Sequence, residues 1–471
     1  MTDLTLHSAT KLAELIRQRD VSPVEVVEAY LYRIDEVNPS LNAIVTLAPN
    51  VLEQAREAEV ALQRGDSVGP LHGVPLTVKD TIETAGLRTT SGSALRATYI
   101  PDKDAPAVAR LKTAGAIILG KTNAAEMAMD YTADNPVFGR TNNPHDPTRT
   151  PGGSSGGEAA AIAAFISAGG VGSDLAGSIR IPAHFCGIAG LKPGTGRVPG
   201  AGQFPPGAGP YALGSAIGPM ARSIADLDLI FAVLAGNAGG RSSAEELTAR
   251  RAALPGQRVG WYADDGVAPV TAETRVAVEF AARALADAGL AVEERRPPGI
   301  ERSLELWLKL FSRASVVQLR NLYTGQEEKA GSFVSWRLRT ADDTPPPTLD
   351  DYINAWLERD RLRAELINWM DLTPLVIAPV GATPAVEHDA HKVAVAGKSF
   401  STFQAFSYCQ AFNVFDLPAV SVPAGRSREG LPIGVQIVGR PGAEETVLAA
   451  AQIVEEALQF QVPGFESASD G

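Results

Sequence analysis

Residues 149–157 read RTPGGSSGG, Ser178 follows inside GSDLAGSIRIP, and Lys79 ends the apolar run GVPLTVKD. A serine hydroxyl is a weak nucleophile and needs a base within hydrogen-bond reach. The chain has six histidines, His7, His72, His145, His184, His388 and His391, and none sits in a triad context. His184, in RIPAHFCG, is nearest to the motif and reads as a packing or hydrogen-bonding residue. Lysine is the other candidate base. It can serve only when neutral, which needs burial or nearby positive charge to bring its pKa down from about 10.4. At the end of an apolar strand, Lys79 would feel that desolvation. Other chemistries fit less well. A phosphate loop needs Gly-Lys-Ser/Thr, and a dinucleotide fold needs G-x-G-x-x-G after a strand. Neither occurs in this loop, and the G-x-S-x-G elbow is absent. Read alone, the loop fits a solvated flexible segment, and Lys79 a surface residue ending a strand.

The surrounding elements would have to position these groups. Four glycines in nine positions rule out a stable helix or a good strand for 149–157. Ser22-Pro23-Val24-Glu25 is a capping box with proline at the first helical position, so the chain opens with helix. GVPLTVKD reads as a buried strand. DAPAVARLKTAGAIILGKTN reads as helix, turn at Gly115, then strand. GEAAAIAAFISAG is a helix of small residues. RVGWYADDG, TAETRVAVEFAARALADAG and LAVEERR form a second strand–helix–strand unit. Residues 303–370 are mostly helical, broken at DDTPPPT. PLVIAPV, AVSVPAG and PIGVQIVG are late strands, and AEETVLAAAQIVEEAL is a closing helix. No fixed-period repeat and no long polar linker divides the chain. The expectation from these elements is α/β, one large domain over 1–465 with a parallel or mixed sheet, and a frayed tail over 466–471.

Bulk properties bound the function. The chain has 471 residues, 45% apolar and 20% charged, a globular composition. A net charge of -12 argues against nucleic-acid binding through a broad basic surface. Cys186 and Cys409 form no metal or CxxC spacing, as expected of a reduced protein. The charged N-terminus lacks a signal-peptide core. The longest apolar run, AAAIAAFISAGGVG, is too short and glycine-rich to span a bilayer. The expected setting is cytoplasmic, with no membrane and no nucleic-acid partner; a homodimer stays open.

GVPLTVKD, GKTNAAEMAM, NPVFGRTNNP, TPGGSSGGEAAAIAAFI, GSDLAGSIRIPAHFCGIAGLKPGTGRV, GPMARSIADLDLI and LPAVSVPAG…GLPIGVQIVGRPG together resemble the amidase signature family. The segments run in family order over most of the chain, with the core at about 70–235. The resemblance implies an α/β fold with a mixed central sheet flanked by helices, and in it a Ser-cisSer-Lys triad: Ser178 as nucleophile, Ser154 as bridge after a cis Gly153–Ser154 peptide, and Lys79 as base. It implies an oxyanion hole from the N–H groups of Leu175, Ala176, Gly177 and Ser178, with Ser155, Asp174 and Arg180 bracing the site. No metal or organic cofactor is called for. Where the family usually has two glycines before the nucleophile, this chain has Ala176-Gly177. That places a methyl group where substrate would approach.

The resemblance covers free-standing amide hydrolases and the glutaminase subunit of the tRNA-dependent amidotransferase. That subunit's Y-x-x-D pattern before LPAVSVPAG is missing, and Asp416 alone does not restore it. A catalytically dead binding protein is disfavoured because all three triad positions are filled. The variable segments are rich in aromatic and small residues and poor in charge. Met127, Met129, Tyr131, Phe204, Tyr211 and Phe400 are candidate pocket residues, in company with Trp307, Phe311 and Phe403. Such a pocket favours neutral aryl or alkyl amides, and carbamates by the same acyl-enzyme route.

Overall fold

The computed structural model describes residues 3–236, 244–343 and 345–458. The expected tail at 466–471 and the end of the expected domain lie outside the described residues. Thirteen strands are present among the described residues: β1 (Ile44–Leu47), β2 (Pro75–Lys79), β3 (Ile117–Thr122), β4 (Gly169–Asp174), β5 (Ala189–Lys192), β6 (Ala216–Ala221), β7 (Arg258–Trp261), β8 (Ala291–Glu294), β9 (Leu375–Pro379), β10 (Lys392–Val395), β11 (Lys398–Ser401), β12 (Ala419–Arg426) and β13 (Pro432–Gly439). Eleven form one sheet in the order β1-β3-β2-β4-β6-β5-β12-β13-β9-β7-β8, while β10 and β11 make a separate hairpin. β2 runs parallel to both β3 and β4, β7 runs parallel to β8 and β9, and the remaining pairs are antiparallel. This is the mixed central sheet that the family resemblance implied. Helices cover it, and the central strands β2, β3, β4 and β6 are buried along their whole length. Among the described residues, no helix is long and apolar enough to cross a membrane.

Local signals are obeyed where they are strong. Ser22 caps the helix Pro23–Leu41, its hydroxyl accepting from the Glu25 N–H while Glu25 reaches back. Gly115 takes φ +87° between the helix Pro106–Thr113 and β3. The broad helical region breaks into several pieces, including a π-helical turn at Leu308–Ser312 and the long helix Leu349–Met370.

Two readings needed correction. The small-residue helix ends at Ala163, and Phe165 turns with φ +61°. Its start also lies inside the glycine loop, because Gly156 and Gly157 form its first turn. A Cβ at 157 would stand 2.5 Å from the Asn123 backbone, so glycine here serves a close approach. GGVGSD, for which the sequence suggested no element, is the central strand β4. A Cβ at 170 would lie 1.9 Å from Glu158 Oε1 and 2.5 Å from Thr77 O. The missing side chain is what lets the helix pack down on β4.

Candidate active site

β2 and β4 are parallel neighbours, so their C-terminal ends open on the same edge of the sheet. Lys79 ends β2, and Ser173 and Asp174 end β4. The loop before the helix Gly156–Ala163 brings Ser154 and Ser155 to that edge, and the Gly153–Ser154 peptide is cis. Lys79 is fully buried. Its Nζ lies 2.7 Å from Ser154 Oγ, 3.1 Å from Ser173 Oγ and 3.5 Å from Ser173 O. Burial brings the ammonium pKa down to about 7, against the pull of the Asp174 and Glu158 carboxylates.

Ser154, Ser173, Asp174, Leu175 and Ser178 line one cavity of about 60 Å³. The Ser178 hydroxyl has no hydrogen-bond partner among the described residues. Its carbonyl accepts from the Ser155 N–H at 3.2 Å. The Ser155 hydroxyl packs on β4, donating to Ser173 O at 3.3 Å and accepting from Ser173 N at 3.4 Å.

Asp174 and Arg180 form a buried pair that shapes the turn carrying Ser178. Arg180 Nε donates to Asp174 Oδ2 at 3.0 Å and its terminal nitrogen to Oδ1 at 2.9 Å. The guanidinium also reaches Gln436 and Asn413 at 2.8 and 2.7 Å. Burial pushes the Asp174 carboxyl up, but Arg180 outweighs it and holds the group well below the usual carboxylate range. The same carboxylate accepts from the N–H groups of Gly177 (2.8 Å) and Ile179 (3.1 Å). The oxyanion expectation therefore changes at one position: the Gly177 N–H is already committed. Those of Leu175, Ala176 and Ser178 have no acceptor among the described residues. Gly177 matters for its backbone, with φ +107° and a Cβ that would meet Cys409 at 2.6 Å.

The expected pocket residues divide. Met127, Met129 and Tyr211 line the cavity, whereas Tyr131, Phe204 and Phe400 do not. Tyr131 is buried behind the turn, its hydroxyl donating to Ala176 O at 2.9 Å and accepting from Gln410 at 2.9 Å. Phe204 lies under the Arg96 guanidinium, and the prolines after it, Pro205 and Pro206, face the cavity instead. Phe400 sits half-buried on the β10–β11 hairpin against a buried apolar cluster that includes Tyr131, Phe185, Trp307 and Phe406. Ala176 belongs to that cluster too, so its methyl packs with the aromatics rather than lining the cavity. Ala128, Gln203, Gly207, Ser215 and Gln318 complete the lining. Ser173 carried no signal of its own in the sequence.

His184 is buried, its Nδ1 accepting from the Gly434 N–H at 2.6 Å and its Nε2 donating to Thr383 O at 3.0 Å. Burial lowers its pKa to about 4. It is a neutral structural bridge. Asp416 points away from the cavity, accepting from the Thr195 N–H and hydroxyl at 3.0 and 2.8 Å.

This arrangement sits on a known type of chain. The amidase family profile matches residues 25–448. The chain is 35% identical over 476 residues to the A subunit of the glutamyl-tRNA(Gln) amidotransferase from Thermus thermophilus, covering 95% of this chain and 97% of that one. It is 32% identical to human fatty-acid amide hydrolase 2, covering 96% and 89%. Its fold superposes with a TM-score of 0.84 on a bacterial aryl acylamidase of the amidase signature family, at 27% identity over 96% of each chain. The chain belongs to the amidase signature family. It is an amidase-family hydrolase that acts on C–N bonds.

Proposed function

We propose that this enzyme hydrolyses neutral aryl and alkyl amides, and carbamates by the same route, with Lys79 as base, Ser154 as bridge and Ser178 as nucleophile. The observation that carries the reading is the buried Lys79 amine 2.7 Å from Ser154 Oγ, on the cavity that Ser178 lines. A neutral amine has two N–H bonds and one lone pair. With Ser173 O and Oγ as acceptors for the two N–H bonds, the lone pair faces Ser154. Lys79 takes the Ser154 proton as Ser154 takes that of Ser178. Ser178 Oγ bonds to the carbonyl carbon, and the oxyanion is held by the Leu175, Ala176 and Ser178 N–H groups. The proton returns along the relay to the leaving nitrogen, the C–N bond breaks, and an acyl-Ser178 ester remains. Water, deprotonated through the same relay, cleaves the ester and restores Ser178. The Ser178–Ser154 contact closes in the substrate complex, as such contacts commonly do.

The two adjacent serines should behave differently. Ser154→Ala should lower kcat/KM on the order of 10³-fold, because it cuts the proton path. Ser155→Ala should lose far less, since the hydrogen bonds removed are long and serve the backbone. Equal losses in steady-state kinetics would mean the bridge is misassigned.

The preference for neutral substrates rests on the lining. It offers methionine, proline, tyrosine and uncharged amides, and its one carboxylate, Asp174, is spent on Arg180. Burial of apolar substrate surface, at about 25 cal/mol per Å², then supplies binding. The identity to the amidotransferase chain favours a second reading, a glutaminase that works within a complex. Glutamine would bring a charged α-amino and α-carboxylate group into a cavity with no free charge to meet them. Glutamine, a 4-nitroanilide and an N-aryl carbamate should be compared at matched concentrations. The anilide and carbamate should release amine, and glutamine should not. Ammonia from glutamine with the other two untouched would establish the second reading.

A further inference from the structure

Glu158 is a fully buried carboxylate with no part in the steps above. It lies one turn after Ser154, in the first turn of the helix Gly156–Ala163. Its Oε1 accepts from Thr77 Oγ1 at 2.5 Å and its Oε2 from Thr122 Oγ1 at 2.6 Å. Thr77 stands two residues before Lys79 on β2, so the two side chains emerge on one face of the strand. Thr122 is the residue of β3 that pairs with Lys79. Gly170 on β4 leaves the space the carboxylate occupies. A helix-start acid stabilises the helix from solvent without such contacts. Burying a carboxylate costs several kcal/mol unless it is paired, so this placement calls for a purpose beyond capping.

One carboxylate therefore bolts the helix behind Ser154 to β2, which carries Lys79, and to β3 beside it. We infer that Glu158 is a positioning residue that keeps Ser154 within hydrogen-bond reach of Lys79, and that its negative charge helps set the proton affinity of that lysine. The inference rests on the reading of Lys79 as the base. The charged groups around the pair are few. Lys79 faces Glu158 and Asp174, and Asp174 is neutralised by Arg180. Burial raises the Glu158 carboxyl to about 7, against the pull of its threonine donors and of Lys121 and Lys79, so its charge acts on Lys79 from about neutral pH upward. Lys121 is itself buried, donating to Ile82 O and to Thr84 Oγ1, with Asp80 the acid that acts on it most strongly and Glu158 next. Removing the Glu158 charge takes away one of the two negative neighbours of Lys79. Its ammonium form is then less favoured, and the neutral base persists to lower pH.

The test uses the rate of labelling by a fluorophosphonate, which reads nucleophile activation without a known substrate. The full-length enzyme is compared with K79A, E158Q, T77V and T77S across pH. E158Q should lower the plateau rate at least about 10-fold, a misplacement effect. It should also move the acidic limb down, by up to about one pH unit, since Glu158 carries its charge only in part near pH 7. T77V, which keeps the carboxylate but removes a donor, should lower the plateau and leave the limb in place, and T77S should restore the rate. If K79A labels as fast as the parent, the lysine-base reading fails. If K79A is slow while E158Q keeps the parent's rate and limb, only the inference about Glu158 is overturned. Should E158Q prove unfolded by circular dichroism, T77V decides: a parent-like rate overturns the positioning role, and a slow rate recovered in T77S supports it.

Discussion

Ser178→Ala is expected to give a folded protein with no measurable turnover. The Ser178 hydroxyl has no hydrogen-bond partner among the described residues, and its residue sits in a turn shaped by Asp174 and Arg180. Removing the oxygen disturbs no packing and leaves no buried group unpaired, so the stability change should stay within about 1 kcal/mol. The chemistry depends on that oxygen entirely, because it forms the acyl bond. A loss on the order of 10⁴-fold or more in kcat is the scale seen when a serine nucleophile is removed while the oxyanion donors remain. Thermal unfolding and amide hydrolysis, measured on one preparation, check both halves. An alanine variant that keeps more than about 1% of kcat would move the nucleophile elsewhere, since donors and binding alone fall short of that.

Lys79 carries the second large effect, and it appears in the pH profile. With the amine brought down to about 7 by burial, the base is half protonated near neutrality. The acidic limb of kcat/KM reports the free enzyme. Activity should therefore rise through about pH 7 and level off above it, and Lys79→Ala should be almost inactive at every pH. A profile flat down to about pH 5, in the upper carboxylate range, would exclude a lysine base. Stability supplies an independent readout. In the unfolded chain Lys79 titrates near 10.5, and in the folded enzyme near 7. Between these values the unfolded state binds more protons, so wild-type stability rises with pH there. The cost of burying Lys79 is fully present below about pH 7 and fades as the pH approaches 10.5. Lys79→Met should accordingly raise the unfolding temperature at neutral pH and gain little near pH 10.5. A gain that did not depend on pH would mean that Lys79 is not neutral in the fold.

The aromatic residues show how far pattern reading reaches into the pocket. Composition and segment position pointed to Met127, Met129 and Tyr211, which do line the cavity. Tyr131 and Phe204 are equally aromatic and as near in sequence, yet one braces the Ala176 carbonyl and the other stacks under Arg96. Which side of a loop an aromatic ring takes depends on partners from elsewhere in the chain, here Gln410 for Tyr131 and Arg96 for Phe204. No periodicity encodes those partners.

By itself, the sequence determined what local chemistry can determine. The Ser22 capping box, the Gly115 turn and the alternation of helix with apolar strand are decided by hydrogen bonds and burial within a few residues. They were legible for that reason, as was the proposed Lys79–Ser154–Ser178 set, because its long motif runs in order along the chain. The tertiary structure alone decided three other things. It made the glycine-rich 169–174 segment a central strand, since its glycines answer to Glu158, Thr77 and Ser155 packing against it from other elements. It took the Gly177 N–H out of the free donors, because the Asp174 carboxylate, pinned by Arg180, reaches it first. And it placed Glu158 between Thr77 and Thr122, 81 and 36 residues distant in sequence. The first and third outcomes turn on atoms that arrive from distant segments, and the second on a short turn whose Arg180 is held from afar by Asn413 and Gln436; a glycine or a lone acid carries no local mark of what will approach it.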